Sequence, residues 1–338
     1  MRIDSKDDHV DVCVLGRIGY DLHAVEQNRP LAEVEHFSRH LGGSSANIAV
    51  GLARLGLRVG IISTVGKDAL ADFLLGFLRT EGIDTRFVRL VEGYNTSLCL
   101  TEVSPPDHFP QVFYRREPAD IQVLVESPEL AYIQKARLFV TNGTGLSASP
   151  AREATLSALK AARNAGLRTA FDVDYRASSW QSPTEAGRQA RAVLPWVDIL
   201  LGNEDELALL SREREGRAQV QIGLDAGVGL VIRKRGSRGI EAYTRDRCIF
   251  APPSTARVVS TIGAGDGFAA GFLYALVRGL SLEECLRHGN AAAAIVVSRI
   301  SCSDAMPYLK ELNELLASAT RAGTQEAPVE APRLEEGP

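Results

Sequence analysis

Apolar positions along the chain recur with two periods. Val10 to Leu15 (VDVCVL) is a short apolar run ending at Gly16, which predicts a buried first strand. Gly19 to His40 is more polar and alternates loosely at Val34, His36 and Phe37, as an inserted strand pair or a surface excursion would. In LGGSSANIAVGLARLG, Ile48, Leu52 and Leu55 share one helical face; Ser44 or Ser45 offers an N-cap and Gly56 stands at C′. Arg58 to Val65 predicts the next strand. Asp68 to Glu81 predicts an amphipathic helix with Leu70, Phe73, Leu74, Phe77 and Leu78 on its apolar face, closed by Gly82. Ser97 to Val103 and Gln111 to Tyr114 alternate on either side of Pro105-Pro106-Asp107, a hairpin with a loop longer than two residues.

From Arg137 the rhythm becomes strand, helix, strand. Strands are predicted at Leu138 to Thr141, Thr169 to Val173, Asp198 to Leu201 and Gly229 to Lys234. Helices are predicted at Pro150 to Ala165, Thr184 to Leu194 and Asn203 to Leu210. Ile240 to Tyr243 and Cys248 to Phe250 suggest a small hairpin, and Arg257 to Val259 a short strand. Helices at Ala264 to Arg278, Leu282 to Arg299 and Tyr308 to Ser318 complete the pattern. Such alternation predicts an α/β fold, a mostly parallel sheet covered by helices on both faces. The residues after 320 are rich in Pro, Glu and Ala and are expected to be a disordered tail. No internal repeat is visible.

Composition narrows the function. With 38 Lys+Arg against 42 Asp+Glu the formal net charge is −4, which leaves no dense basic field for gripping nucleic acid or an anionic membrane. Cys13, Cys99, Cys248, Cys285 and Cys302 are scattered and never spaced as CxxC, so they read as reduced core thiols of a cytoplasmic protein. The charged stretch Met1 to Val10 lacks the apolar segment of a leader, and the longest apolar stretch, Ala291 to Val297, is far too short to span a membrane.

The chemistry concentrates in Ser260-Thr261-Ile262-Gly263-Ala264-Gly265-Asp266-Gly267-Phe268, which opens a long helix. Small residues at Gly263, Ala264 and Gly265 let backbone N–H groups converge on an anion at the positive end of the helix. A dinucleotide loop fits poorly, because the spacing is GxGxG and the string is C-terminal. Asp266 would repel a static pyrophosphate. It suits a phosphoryl group in flight, accepting the proton of the attacking hydroxyl. Equally, Asp266 could be only a first-turn acid favoured by the helix dipole. GIISTVGKD (60–68) fails as a Walker loop, being one residue too long with Asp68 in the Ser/Thr position. Gly42-Gly43-Ser44-Ser45-Ala46-Asn47 suits sugar hydroxyls or a plain turn. Asn203 and Glu206 share a helical face and could hold hydrated Mg²⁺ or form a capping box.

Taken in order, GGSSANIAVGLARLG and STIGAGDGF resemble the two signatures of the ribokinase-like (PfkB) carbohydrate kinases, the second usually written DTxGAGDxF. The similarity runs from about Val10 to Ser318. GRIGYDLHA (16–24), FYRREPAD (113–120), DVDYRASSW (172–180) and SCSDAMP (301–307) look like the branch that phosphorylates a deoxy keto sugar acid in myo-inositol catabolism. The 2-keto-3-deoxygluconate kinases are the neighbouring branch, and a non-catalytic sugar- or nucleotide-binding regulator is the reading from another class.

The resemblance implies a three-layer α/β/α domain over residues 10–320 with a small β lid from about 17–41 and 94–123, often paired between subunits as a homodimer. It implies Asp266 as catalytic base and Gly263, Ala264 and Gly265 as anion hole. Asp21, Gly42, Gly43 and Asn47 would line the sugar site, with Tyr114, Arg115 and Arg176 facing the acid end. Asn203 and Glu206 would organise Mg²⁺ and phosphates through water; Asn203, Gly236, Gly239 and Asn290 would border ATP. There are departures. Ser260 replaces a usual Asp, which bears on loop anchoring and on a monovalent cation such as K⁺. Arg116-Glu117-Pro118 replaces a more usual Glu-Asn-small run. Gly267 stands where Ser or Ala is commoner, which would loosen the helix start.

Overall fold

The computed structural model describes residues 9–214 and 216–319. In chain order the strands are β1 (Val12–Leu15), β2 (Gly19–Ala24), β3 (Phe37–Gly42), β4 (Val59–Gly66), β5 (Asp84–Val91), β6 (Leu98–Thr101) and β7 (Gln111–Tyr114). They continue as β8 (Leu138–Asn142), β9 (Arg168–Asp172), β10 (Ile199–Asn203), β11 (Leu230–Lys234), β12 (Ile240–Tyr243) and β13 (Cys248–Ala251). The helices are α1 (Ser44–Arg54), α2 (Ala69–Thr80), α3 (Ser127–Ile133), α4 (Ala151–Asn164), α5 (Pro183–Val193) and α6 (Glu204–Ser211). After them come α7 (Gly216–Asp225), α8 (Ala264–Val277), α9 (Leu282–Val297) and α10 (Leu309–Ala319).

Nine strands form one sheet in the order β13-β12-β11-β10-β9-β8-β1-β4-β5. All its pairings are parallel except β11 with β12 and β12 with β13. Strand alternation splits the core in two. Val12, Val14, Leu138 and Ile199 point to the face covered by α1, α2, α8 and α9, whereas Cys13, Leu15, Phe139 and Leu200 point to the face covered by α3 to α7. The fold is therefore the expected three-layer α/β/α arrangement. A second, four-stranded sheet, β3-β2-β6-β7, is built from the two excursions at Gly19 to His40 and Ser97 to Tyr114.

Several helix ends follow the sequence signals. Asp68 caps α2 by accepting from the backbone N–H groups of Leu70 and Ala71, and Gly56, Gly82 and Gly279 take positive φ after their helices. Ser44 is not the cap of α1: Gly43 is, at φ 97°, with Ser44 as the first helical residue. Arg257 to Val259 is not a strand. The N–H groups of Val259 and Ser260 instead donate to the carbonyl oxygen of Val297 at the end of α9. Helices α8 and α9 lie very close: a Cβ on Gly271 would sit 2.5 Å from the His288 carbonyl oxygen, and one on Gly267 would sit 2.7 Å from Val296 Cγ2. Gly267 thus makes room for α9, a packing role the sequence comparison with commoner Ser or Ala does not suggest. The tail expected beyond residue 320 lies outside the described residues.

Candidate active site

Strands β1, β8, β9, β10 and β11 run parallel, so their carboxyl ends share one edge of the sheet. The order reverses about β1, which has the N-terminal β4 on one side and β8 on the other. A crevice at such a switch point is where open α/β sheets bind ligands. Here it is a cavity of about 430 Å³. Its floor is the set of residues that follow the strands: Arg17 after β1, Asp172, Asp174 and Arg176 at β9, Asn203 at β10 and Lys234 at β11. The N-termini of α1 and α8 open into it, bringing Gly43, Ser44 and Asn47 opposite Gly263, Gly265 and Asp266. The four-stranded sheet supplies a wall with Asp21, Gln111 and Phe113.

Asp266 sits in the first turn of α8, behind Gly263 at φ 76°. The first amides of a helix have no partner within it, so this end presents N–H groups to an anion. Two side chains of α1 hold the carboxylate: Ser44 Oγ donates to Oδ1 at 2.7 Å and Asn47 Nδ2 to Oδ2 at 2.8 Å. Burial pushes the Asp266 carboxyl above its usual range and the charge of Asp174 adds to this. The hydrogen bonds from Asn47 and Ser44 and the Arg176 charge oppose it. The result is an oriented carboxylate of raised basicity beside an anion-binding helix mouth. Ser260 does anchor this loop, its Oγ accepting from the N–H of Ile262 at 3.2 Å.

Lys234 and Arg176 in the cavity are each paired with a carboxylate. Lys234 Nζ donates to both oxygens of Asp172, at 3.0 and 2.8 Å. Burial alone would discharge this amine, but Asp172, Glu206 and Asp266 face it and hold it protonated. Arg176 pairs with Asp174 at 3.1 Å, and Asp174 also accepts from Thr144 Oγ1 at 2.7 Å. Asn203 and Glu206 do form a capping box on α6. Glu206 accepts from the N–H of Asn203 through Oε2 and from that of Tyr175 through Oε1. Both oxygens are thus engaged by backbone amides while Glu206 lines the cavity.

Of the residues expected from the sequence, the cavity gathers Asp266, Gly263, Gly265, Asp21, Gly43, Asn47, Arg176, Asn203, Glu206 and Gly236. Ala264 lies between two lining glycines without lining the wall itself. Gly42 lies behind it: a Cβ there would be 2.2 Å from the Asp21 carboxylate. Four others are elsewhere. Tyr114 is 64% exposed on the edge strand β7. Arg115 forms a buried ion pair with Asp120 and donates to Ser179 Oγ. Asn290 donates to the carbonyl oxygen of Pro252 at 2.7 Å. Gly239 turns at φ 88° between β11 and β12. The sequence reading passed over Arg17, Ser44, Asp172, Asp174 and Lys234 as site residues. Their common signal is position, since most stand at the carboxyl end of a parallel strand.

The PfkB model, described as the pfkB family carbohydrate kinase, matches residues 10–309. The chain belongs to the PfkB family of carbohydrate kinases. Within that family, curated relatives named 5-dehydro-2-deoxygluconokinase are 38% identical in Lacticaseibacillus casei, over 91% of this chain and 96% of that one, and 36% identical in Bacillus subtilis, over 90% and 95%. Among solved structures, a PfkB protein from Polaromonas sp. JS666 superposes with a TM-score of 0.80 at 26% identity, covering 90% of this chain and 99% of that one. An aminoimidazole riboside kinase from Salmonella enterica, complexed with aminoimidazole riboside and an ATP analog, gives 0.78 at 27% identity, over 90% and 99%. As a member of the PfkB family the chain is an ATP-dependent sugar kinase. No helix among the described residues is long and apolar enough to cross a membrane.

Proposed function

We propose that the chain transfers the γ-phosphoryl group of ATP to the 6-hydroxyl of 5-dehydro-2-deoxygluconate. The observation that carries the chemistry is the Asp266 carboxylate, oriented by Ser44 and Asn47 beside the α8 N-terminus. The observation that carries the substrate is the name shared by relatives matched over nine-tenths of the chain.

In this reading Asp266 takes the proton of the 6-hydroxyl as its oxygen bonds to phosphorus and the bond to ADP breaks. The amides of Gly263, Ala264 and Gly265 stabilise the charge on the passing phosphoryl oxygens. Asp21, held against Gly42, and Asn47 receive sugar hydroxyls; each has a buried oxygen without a hydrogen-bond partner among the described residues. Lys234 offers a buried, protonated amine to the phosphates, and Gly236 and Asn203 border the nucleotide.

The donor set fits Mg²⁺, since Asp172, Asp174 and Glu206 place hard oxygen ligands along one wall. Bound there, Mg²⁺ would neutralise charge on the phosphates of ATP, with Asn203 and Glu206 meeting it through water. The reading includes a K⁺-type cation under the 260–265 loop, tested by comparing activity in K⁺ and tetramethylammonium salts. It also includes a homodimer joined through the four-stranded sheet, on whose edge strand β7 Val112 and Tyr114 are exposed. Scattering-derived mass in solution tests this; a monomer removes it. The reading also includes a cytoplasmic location, supported by the free cysteines among the described residues and a need for ATP.

The test is a coupled ADP-release assay on 5-dehydro-2-deoxygluconate, 2-keto-3-deoxygluconate, fructose and ribose. The reading expects the highest kcat/KM on the first. A higher value on any other overturns the named substrate, and no ADP release with any of the four removes all of them as acceptors.

A further inference from the structure

The cavity contains one buried cation that forms no ion pair among the described residues. Arg17 leaves β1 at its carboxyl end and is only 7% exposed. Its Nη1 is buried and has no hydrogen-bond partner among the described residues, and its guanidinium forms no ion pair there. The other cavity cations differ: Lys234 is held by Asp172 and Arg176 by Asp174. What Arg17 does touch is the ring of Phe113, 5.8 Å from the guanidinium carbon, and the backbone of Gly19. A Cβ on Gly19 would lie 2.5 Å from Nη1. Gly43 packs instead on the backbone of the same residue, since a Cβ there would lie 2.4 Å from the Arg17 carbonyl oxygen. Gly19 therefore clears space for a buried guanidinium, which acts on the Asp21 carboxylate without forming an ion pair with it. Such a group is costly unless a ligand completes it.

Position decides which ligand. Arg17 acts electrostatically on Asp21 and Cys99, at the root of the four-stranded sheet. The field at Asp266 comes instead from Asp174 and Arg176. The guanidinium, set over the Phe113 ring of β7, thus lies toward the sheet wall. In the proposed substrate the carboxylate and the 6-hydroxyl lie at opposite ends of a six-carbon chain. With Arg115 committed to Asp120 and Tyr114 turned to the surface, no other unpaired cation lines the cavity among the described residues.

We propose that Arg17 is the carboxylate-recognition residue, making the cavity specific for sugar acids over neutral sugars. Resting on the proposed function, this assigns its acid end. A guanidinium presents paired N–H donors in the plane that a carboxylate requires, which an ammonium cannot reproduce.

The test pairs Arg17→Met and Arg17→Lys with the wild type. Kinetics are measured on 5-dehydro-2-deoxygluconate, on its neutral counterpart with the carboxylate reduced to an alcohol, and on ATP. Arg17→Met should raise KM for the acid at least about thirty-fold. It should leave KM for the neutral counterpart and for ATP within about threefold, and Arg17→Lys should recover only part of the loss. Because the guanidinium forms no ion pair in the ligand-free chain, Arg17→Met should melt close to wild type. A rise in KM for ATP instead would reassign Arg17 to phosphate. Unchanged preference for the acid, or a melting temperature lowered by several degrees with KM unmoved, would overturn the proposal in favour of a structural role. If wild type prefers another sugar acid, the substrate name fails while the same comparison on that acid still decides Arg17. If wild type prefers a neutral sugar, both fail.

Discussion

Asp266 has one hydrogen bond on each oxygen, from Ser44 and Asn47. Both favour the ionised form, against burial and the Asp174 charge, which favour the protonated one. A base works only when ionised, so the acid limb of the pH–rate profile should lie above the usual carboxylate range. Removing the Asn47 donor takes away a contribution that lowers the pKa. Asn47→Ala should therefore move the acid limb of kcat/KM to higher pH; an unmoved or lowered limb would show that another group governs it. Asp266 and its glycines were legible because the string itself is chemical. Lys234 and Asp172 were not, because each is an ordinary charged residue until β9 and β11, on either side of β10, end at the same edge of the sheet. Arg115 and its partner Asp120 both stand in FYRREPAD (113–120), but the string does not show that the two pair with each other.

At the scale of elements, the close contact of α8 with α9 sets where Asp266 stands. Adding a methyl at Gly271 must separate the helices, because the nearest atom, at 2.5 Å, is a backbone carbonyl oxygen. Gly271→Ala should cost about 1–3 kcal/mol in chemical denaturation and should lower kcat with it. A variant as stable as wild type would show that the contact is slack. Strands with continuous apolar cores, such as β1 and β4, could be read from period and composition. β5 was passed over because Arg86 and Arg89 interrupt it and it lies half exposed at a sheet edge. α7 was passed over because it begins at a glycine and buries little beyond Val220 and Leu224. In both cases tertiary packing, more than local pattern, decides the element.

The whole molecule joins a helix-covered sheet to a smaller sheet across the cavity, and its acid stability should report that junction. His23 of β2 is 1% exposed, its ring 4.7 Å from that of His40. Burial, aided by His40, lowers its pKa from 6.5 to about 4. The unfolded chain therefore binds a proton between those values that the folded chain refuses, so stability is full above 6.5 and falls as pH drops toward about 4. Melting curves across that window should show the loss, and His23→Leu should flatten it; an equal loss in the variant would place the sensitive group elsewhere. The account as a whole depends on Asp266 acting as the base, and Asp266→Asn tests this most directly. Measured on 5-dehydro-2-deoxygluconate, kcat should fall by about a thousandfold or more while the dissociation constant for ATP stays near the wild-type value. Turnover within about tenfold of wild type would contradict it.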